Sequence, residues 1–254
     1  MEKGLSRNVL KIIAIVSIII GHFFLYTFAT FKGFGGSILI FLLITVCYIG
    51  PPIFMFFISE GFQYTSSRKR YALRLGIFAL ITQVITAITV KGGLGFDIRK
   101  FFLEWNVILA LLLGFVDLCI LNSEKNVPVK AAVILATISA GYFLSVEWGI
   151  FGQLIIIAFY FLREKRVLKF IVASLLVYLS LALAEILVFG GTLTLTYLNP
   201  VTVWYLIFGI IGIALVSFFY YGRNGKKNNF IKYSFYILYP LHLLLIDIVK
   251  LVFS

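Results

Sequence analysis

Charged residues are scarce in this chain, and their scarcity excludes a soluble globular domain. Only 13% of the 254 residues are charged, whereas 62% are hydrophobic and the mean hydropathy is +1.08. In soluble domains roughly a quarter of all residues are charged. The chain also has only 2 cysteines and 2 histidines. Cys47 and Cys119 lie at different depths of their apolar runs, so no disulfide is expected, and two histidines alone are too few for an ordinary metal site.

Long apolar runs dominate the rest of the sequence. Crossing the hydrocarbon core takes about 20 apolar residues, and we count about nine such runs. They lie near residues 9–30, 37–63, 71–90, 105–121, 131–146, 148–162, 167–189, 200–221 and 233–252. Pro51-Pro52 interrupts the second run and predicts a kink or a broken helix, while the fifth and sixth runs are short. The sequence predicts an all-α, polytopic transmembrane helix bundle in which residues 1–254 form a single integral membrane domain.

The net charge of +12 is explained by membrane topology. With a cytoplasmic amino terminus and alternating spans, most Lys and Arg residues fall on the cytoplasmic side, which is the positive-inside pattern. The densest group is Arg68, Lys69, Arg70 and Arg74, called here the cationic cluster. We therefore expect a multi-pass protein of the cell (cytoplasmic) membrane, with the lipid bilayer as its surroundings and no nucleic-acid partner.

Several titratable side chains fall inside the apolar runs, where a charge costs about 3 kcal/mol at mid-bilayer. His22 and His242 lie within about one helical turn of mid-membrane by residue count, and such residues are candidate functional sites. Asp117 is near the inner end of its run and is expected to reach the headgroups. Asp247 and Lys250 are spaced to neutralise each other on the last helix. Asn106 and two glutamines, Gln83 and Gln153, are further polar residues in or near the runs.

The loop before the fourth run has a helical pattern of its own. Ile98, Phe101, Phe102 and Trp105 recur at i, i+3, i+4 and i+7. This spacing predicts a short amphipathic helix in the headgroup plane. An ordinary aromatic belt at the end of a span fits the same residues.

Five stretches of the chain resemble the TraX family of conjugal-transfer membrane proteins. They are LKIIAIVSIIIGH (Leu10–His22), GPPIFMFFISEGFQYTSSRKRYALRLGIFALITQ (Gly50–Gln83), WNVILALLLG (Trp105–Gly114), WGIFGQLI (Trp148–Ile155) and FYILYPLHLLLI (Phe235–Ile246). They fall in order over nearly the whole chain, and more loosely they resemble the wider acyltransferase-three type. TraX proteins are associated with N-acetylation of a pilin subunit, so the resemblance implies a membrane acyltransferase.

The resemblance also implies roles for particular residues. Acetyl-CoA would be the acyl donor, with its phosphates on the cationic cluster and with help from Lys226 and Lys227. His22 would act as general base on an amine or hydroxyl acceptor. His242, or Asn106 through its amide, would hydrogen-bond the thioester oxygen as charge develops there. The acceptor, at or beyond the outer side of the membrane, could be a peptide amine, a sugar or a secreted small molecule.

This sequence departs from the TraX pattern at two positions. In that pattern an Asp precedes the first-span histidine and an Arg stands four residues before the proline matched by Pro52. Here those positions hold Gly21 and Tyr48. If the Asp and the Arg normally form an ion pair, the loss of both leaves no unpaired buried charge. The loss of the Asp also removes a carboxylate that could orient His22.

Two other functions fit the same residues. The intramembrane carboxylates Glu60 and Glu185, together with the histidines, suit the proton relay of a proton-coupled transporter or channel, although no inverted repeat is visible. Gly21 and Tyr48 instead fit a catalytically inactive TraX-like protein that serves as a scaffold or immunity partner. The sequence leaves these alternatives open.

Overall fold

Helices make up nearly all of the structure. The computed structural model describes residues 4–28, 38–90, 93–189, 200–222 and 229–253. In chain order the α-helices are α1 (Arg7–Phe28), α2 (Ile38–Thr45), α3 (Gly50–Tyr64), α4 (Arg68–Ile88), α5 (Ile98–Leu103), α6 (Val107–Leu121), α7 (Val127–Phe143), α8 (Gly149–Phe161), α9 (Arg166–Phe189), α10 (Pro200–Ala214) and α11 (Asn229–Phe253). Val46–Ile49 is a 3-10 turn, Leu215–Phe219 is a π-helical turn, and Thr89–Val90 (β1) pairs with Gly93–Leu94 (β2) in a minimal antiparallel hairpin. The predicted all-α architecture is confirmed.

Many of these helices have the length and composition of membrane spans. Among the described residues, 6 stretches are long and apolar enough to cross a bilayer: Arg7–Thr27, Ile38–Tyr64, Arg68–Ile88, Ile98–Leu121, Arg166–Ile186 and Thr202–Phe219. Three apolar helices are shorter: Val127–Phe143, Gly149–Phe161 and Tyr236–Val249. The 13 residues of α8 give a length of about 20 Å, less than the hydrocarbon core of about 30 Å. The expected shortness of the fifth and sixth runs is confirmed, and the helices are those of a multi-pass membrane protein.

The second run is broken where its prolines predict a break. The helix changes to a 3-10 turn at Val46–Ile49, and α3 starts at Gly50. Residue 51 is a proline and has no N–H to donate to the carbonyl of Cys47, so the N–H of Gly50 takes its place. Pro51 and Pro52 then occupy the first turn of α3, where a missing N–H costs little.

The chain folds into two compact units. The first comprises Met1–Phe54 and Leu162–Leu238, and the second comprises Met55–Phe161 and Tyr239–Ser254. The sequence expectation of one integral membrane domain stays a prediction.

The 3-10 turn is the centre of the first unit, where it contacts α1, α2 and α10. Glycines allow this close approach. A Cβ on Gly21 would lie 2.5 Å from Cys47 Cβ, and a Cβ on Gly212 would overlap the backbone carbonyl oxygen of Ile49. Small residues let helix backbones pack closely in membranes, where van der Waals contact is a main source of helix association.

In the second unit α6 is the central helix and contacts α4, α7 and α8. A Cβ on Gly114 would lie 2.5 Å from Ile156 Cδ1, so α6 and α8 also approach closely. The rings of Phe115 and Phe159 are fully buried beside them. Phe115 meets Phe62 edge to face with the ring centroids 5.7 Å apart, and such aromatic pairs add about 0.5–1.5 kcal/mol beyond their burial.

We expect Gly212→Ala to destabilise the first unit by about 1–3 kcal/mol, the usual cost of overpacking, because the added methyl group would overlap backbone that cannot move aside. Gly76→Ala is the matched control, since the nearest atom, Leu112 Cδ2, is 3.7 Å from an added Cβ. Alanine also favours the helix over glycine by about 1 kcal/mol. Thermal unfolding of the purified protein in detergent measures both variants. Equal melting temperatures would contradict the packing of α10 on the 3-10 turn.

Candidate functional site

The cationic cluster occupies the start of α4. Arg68, Lys69 and Arg70 form the first turn of that helix and are exposed. Ser67 Oγ accepts a hydrogen bond from the backbone N–H of Arg70 at 3.3 Å, as an N-cap residue does. A helix N-terminus is the positive end of the helix dipole, so cations there do not stabilise the helix. Two explanations fit cations at this position: the positive-inside rule of membrane topology and anion binding at a helix N-terminus.

Arg74 adds a half-buried guanidinium to the cluster. Its Nε is buried and has no hydrogen-bond partner among the described residues. Its guanidinium carbon lies 5.4 Å from the ring centroid of Tyr71, and that of Arg68 lies 4.3 Å from the centroid of Phe62. These rings hold the guanidinium groups by cation–π contact. A buried donor without a partner costs about 1–3 kcal/mol. An acceptor such as a phosphate oxygen would satisfy the Nε of Arg74.

Aromatic side chains support the cluster from within the second unit. The ring of Phe62 packs edge to face on Phe115 and on Tyr160, and Tyr71 packs on Phe115 with centroids 4.7 Å apart. Gly61 leaves room for this arrangement, because a Cβ there would lie 2.8 Å from the Tyr71 hydroxyl. Packed aromatic side chains therefore support the cationic cluster.

Asn106 lies at the opposite end of the second unit, at the start of α6. Its Nδ2 donates to Ala79 O at 2.9 Å and to Gln83 Oε1 at 3.0 Å. Its Oδ1 accepts from the N–H of Ile108 at 3.1 Å and caps α6. Both amide hydrogens are thus used to fix α6 on α4, whereas the role of Asn106 toward a thioester oxygen stays a prediction.

Gln83 completes this polar network and was not given a role from the sequence. Its Nε2 donates to the carbonyl oxygens of Lys100, Phe101 and Glu104 at 2.7, 3.2 and 2.9 Å. These are the carbonyls at the end of α5, whose own start is capped by Asp97. The predicted short helix in this loop is confirmed, and a buried glutamine ties it to α4.

The expectation that Asp117 reaches the headgroups is wrong. Its side chain is 0% exposed, and its Oδ1 accepts a hydrogen bond from Thr137 Oγ at 2.6 Å. Gln153, also 0% exposed, approaches the same threonine, with Nε2 at 3.4 Å from Thr137 O. Asp117 lies on the side of α6 that faces α7 and α8, so those helices cover it although it is near the end of its span.

The two histidines belong to different units. His22 on α1 is half-buried and meets Tyr26 edge to face, with ring centroids 5.6 Å apart. His242 on α11 is 4% exposed and meets Tyr239 with centroids 5.3 Å apart. Each imidazole therefore has an aromatic neighbour on its own helix. The catalytic roles of His22 and His242 stay predictions.

Some predicted residues lie outside the described part of the structure. These are Lys226 and Lys227, expected to assist the cationic cluster, and the side chain of Lys250, the expected partner of Asp247. Within the described ranges no group of 3 or more His, Cys, Asp or Glu side chains could hold a metal ion.

Comparison with known proteins decides the family. The family profile described as TraX protein matches residues 6–250. The chain belongs to the TraX family. A curated relative, the "Probable fimbrial assembly protein FimC, serogroup H1" of Dichelobacter nodosus, is 28% identical over 205 residues, which are 79% of each chain. No solved structure matches the chain.

The two departures of this TraX protein from the family pattern lie at one place in its first unit. A Cβ on Gly21 would lie 2.5 Å from Cys47 Cβ and 2.7 Å from the carbonyl oxygen of Ile44, so a side chain does not fit there without a shift. The next residue after Cys47, Tyr48, packs against Tyr205 with ring centroids 4.3 Å apart. Close packing and an aromatic pair thus stand where the family pattern has two charges.

We expect Asn106→Ala to destabilise the protein more than Asn126→Ala. Both residues cap a helix, and loss of a cap costs about 1 kcal/mol. Asn126, however, is exposed and caps α7 through one bond to the N–H of Val129. Removing Asn106 also takes away two buried side-chain hydrogen bonds, to Ala79 O and to Gln83 Oε1, each of which contributes about 0.5–1.5 kcal/mol. Thermal unfolding in detergent compares the two, and similar losses would argue against the buried network.

Proposed function

We propose that this TraX protein is an integral membrane acyltransferase that moves an acyl group, acetyl in the first instance, from acyl-CoA to an amine or hydroxyl acceptor. The observation that carries the proposal is the cationic cluster, with the buried Nε of Arg74 that lacks a partner among the described residues. Coenzyme A is polyanionic, and arginine forks match phosphate oxygens bidentately. The N-terminus of α4 adds backbone N–H donors at the same place.

The proposed reaction needs a base for the acceptor and a hydrogen-bond donor for the thioester carbonyl oxygen. The acceptor nitrogen or oxygen attacks the thioester carbonyl carbon, the new bond forms and the C–S bond breaks. His22 takes the proton that the acceptor loses and passes it to the sulfur, which leaves as the thiol. His242 or Asn106 would stabilise the negative charge on the carbonyl oxygen.

We also propose about nine crossings, with the amino terminus in the cytoplasm, in which the shorter helices tilt or are shielded by their neighbours. The positive-inside pattern supports this topology. It places the cationic cluster on the cytoplasmic side of the cell membrane, where acyl-CoA is available, and leaves the acceptor to arrive from the outer side.

A subunit of a fimbria or pilus is the first acceptor to test. The TraX resemblance implies acetylation of a pilin amine, and the relative from Dichelobacter nodosus carries the name of a fimbrial assembly protein. A sugar or a secreted small molecule is a competing acceptor in the same assay.

His22→Ala is expected to lower acyl transfer by about 100-fold or more, the usual contribution of a general base, while membrane insertion is unchanged. The assay uses protein reconstituted in vesicles, labelled acetyl-CoA and a synthetic peptide with a free amino terminus. Tyr26→Phe is the control, because it keeps the ring beside His22. Transfer by His22→Ala at the wild-type rate would refute the proposed base.

Arg74→Gln is expected to raise KM for acetyl-CoA by about 10- to 100-fold, since a charge-assisted hydrogen bond contributes about 1.5–3 kcal/mol. The value of kcat should change little, because the phosphates are remote from the reacting carbonyl. Arg99→Gln is the matched control, as it removes the same charge from exposed α5 at the other end of the second unit. An equal rise in KM in both variants would mean that net charge, not the cluster, binds the donor.

A further inference from the structure

We infer that Asp117 holds a proton inside the membrane, so that Asp117, Thr137 and Gln153 form a buried proton-binding site in the second unit. The site shares no residue with the cationic cluster or with the two histidines, and the inference does not depend on the proposed acyl transfer.

Two oxygen atoms at this site lack a donor. Asp117 Oδ2 and Gln153 Oε1 are both buried, and neither has a hydrogen-bond partner among the described residues. Their side chains are 0% exposed and converge on Thr137, which donates to Asp117 at 2.6 Å and accepts from Gln153 at 3.4 Å. A hydrogen on Asp117 would turn one of these two acceptors into a donor.

The other donors at the site are already engaged. The Thr137 hydroxyl also lies 2.8 Å from Ile134 O, and Gln153 Nε2 lies 3.3 Å from Gly149 O as well as near Thr137 O. Exchanging the oxygen and nitrogen of Gln153 would set its oxygen against these two carbonyl oxygens, so the amide orientation is fixed by its acceptors. Asp117 is therefore the group among these three side chains that can take up a further hydrogen.

The surroundings favour a neutral carboxylic acid over a carboxylate. Asp117 makes no ion pair with any described residue, and a buried charge without a counter-ion is far more costly than a neutral acid. Glycine creates the space for its partner, because a Cβ on Gly141 would lie 2.8 Å from Gln153 Nε2. The close approach of α7 and α8 at Gly141 and Gly149 thus builds the pocket that receives the amide.

Infrared spectroscopy of the purified protein in nanodiscs at neutral pH tests the inference. We expect a carbonyl-stretch band of a protonated carboxylic acid that shifts when aspartate is labelled with carbon-13. Asp117→Asn should abolish this band, and Asp97→Asn, at the half-buried N-cap of α5, should leave it. A spectrum without such a band, or a band that survives Asp117→Asn, would overturn the inference.

Stability separates a proton from a metal cation at the same oxygens. Asparagine keeps an acceptor for Thr137 and is uncharged like the protonated acid, so Asp117→Asn should unfold at nearly the wild-type temperature. Asp117→Leu should unfold at a lower temperature, because it removes the acceptor of the Thr137 hydroxyl. If Asp117→Asn is as unstable as Asp117→Leu, or if sodium chloride stabilises the wild type but not Asp117→Asn, the site holds a cation and the inference fails.

Discussion

The lack of water inside a bilayer is the constraint on which this structure depends. Every polar group in a span must find its partner within the protein, and the helices are arranged around such partnerships. Gln83 and Asn106 join the end of α5, the start of α6 and the body of α4 in one network. The Gly50 N–H replaces the donor that Pro51 lacks at the broken second run. Thr137 similarly gives the buried Asp117 a donor.

Three of the buried side-chain atoms that lack a hydrogen-bond partner among the described residues are informative about function. A donor, Arg74 Nε, is left at the cationic end of the second unit, and two acceptors, Asp117 Oδ2 and Gln153 Oε1, are left in its core. The unpartnered donor in the cationic cluster supports the proposed phosphate-bearing substrate, and the two unpartnered acceptors support the inferred bound proton.

Local sequence signals predicted local structure well. The paired prolines marked the break before α3, the i, i+3, i+4 pattern marked α5, and the short fifth and sixth runs became the short helices α7 and α8. Asp117 was misjudged because residue count gives depth along a helix but not the side of the helix that its neighbours cover. Gln83 was missed as a network residue for a related reason, since its partners Lys100, Phe101 and Glu104 come from a distant loop.

Apolar length and charge distribution by themselves determined that this is a multi-pass helical membrane protein, because a charged or unpaired polar group in lipid is too costly for any other arrangement. Its motifs determined the TraX family. Only the tertiary structure decided which polar side chains meet, because partners such as Asp117 and Thr137 are set by helix packing and not by their spacing in the chain. It also explains the glycine at position 21, because the 3-10 turn fills the space that a side chain would need.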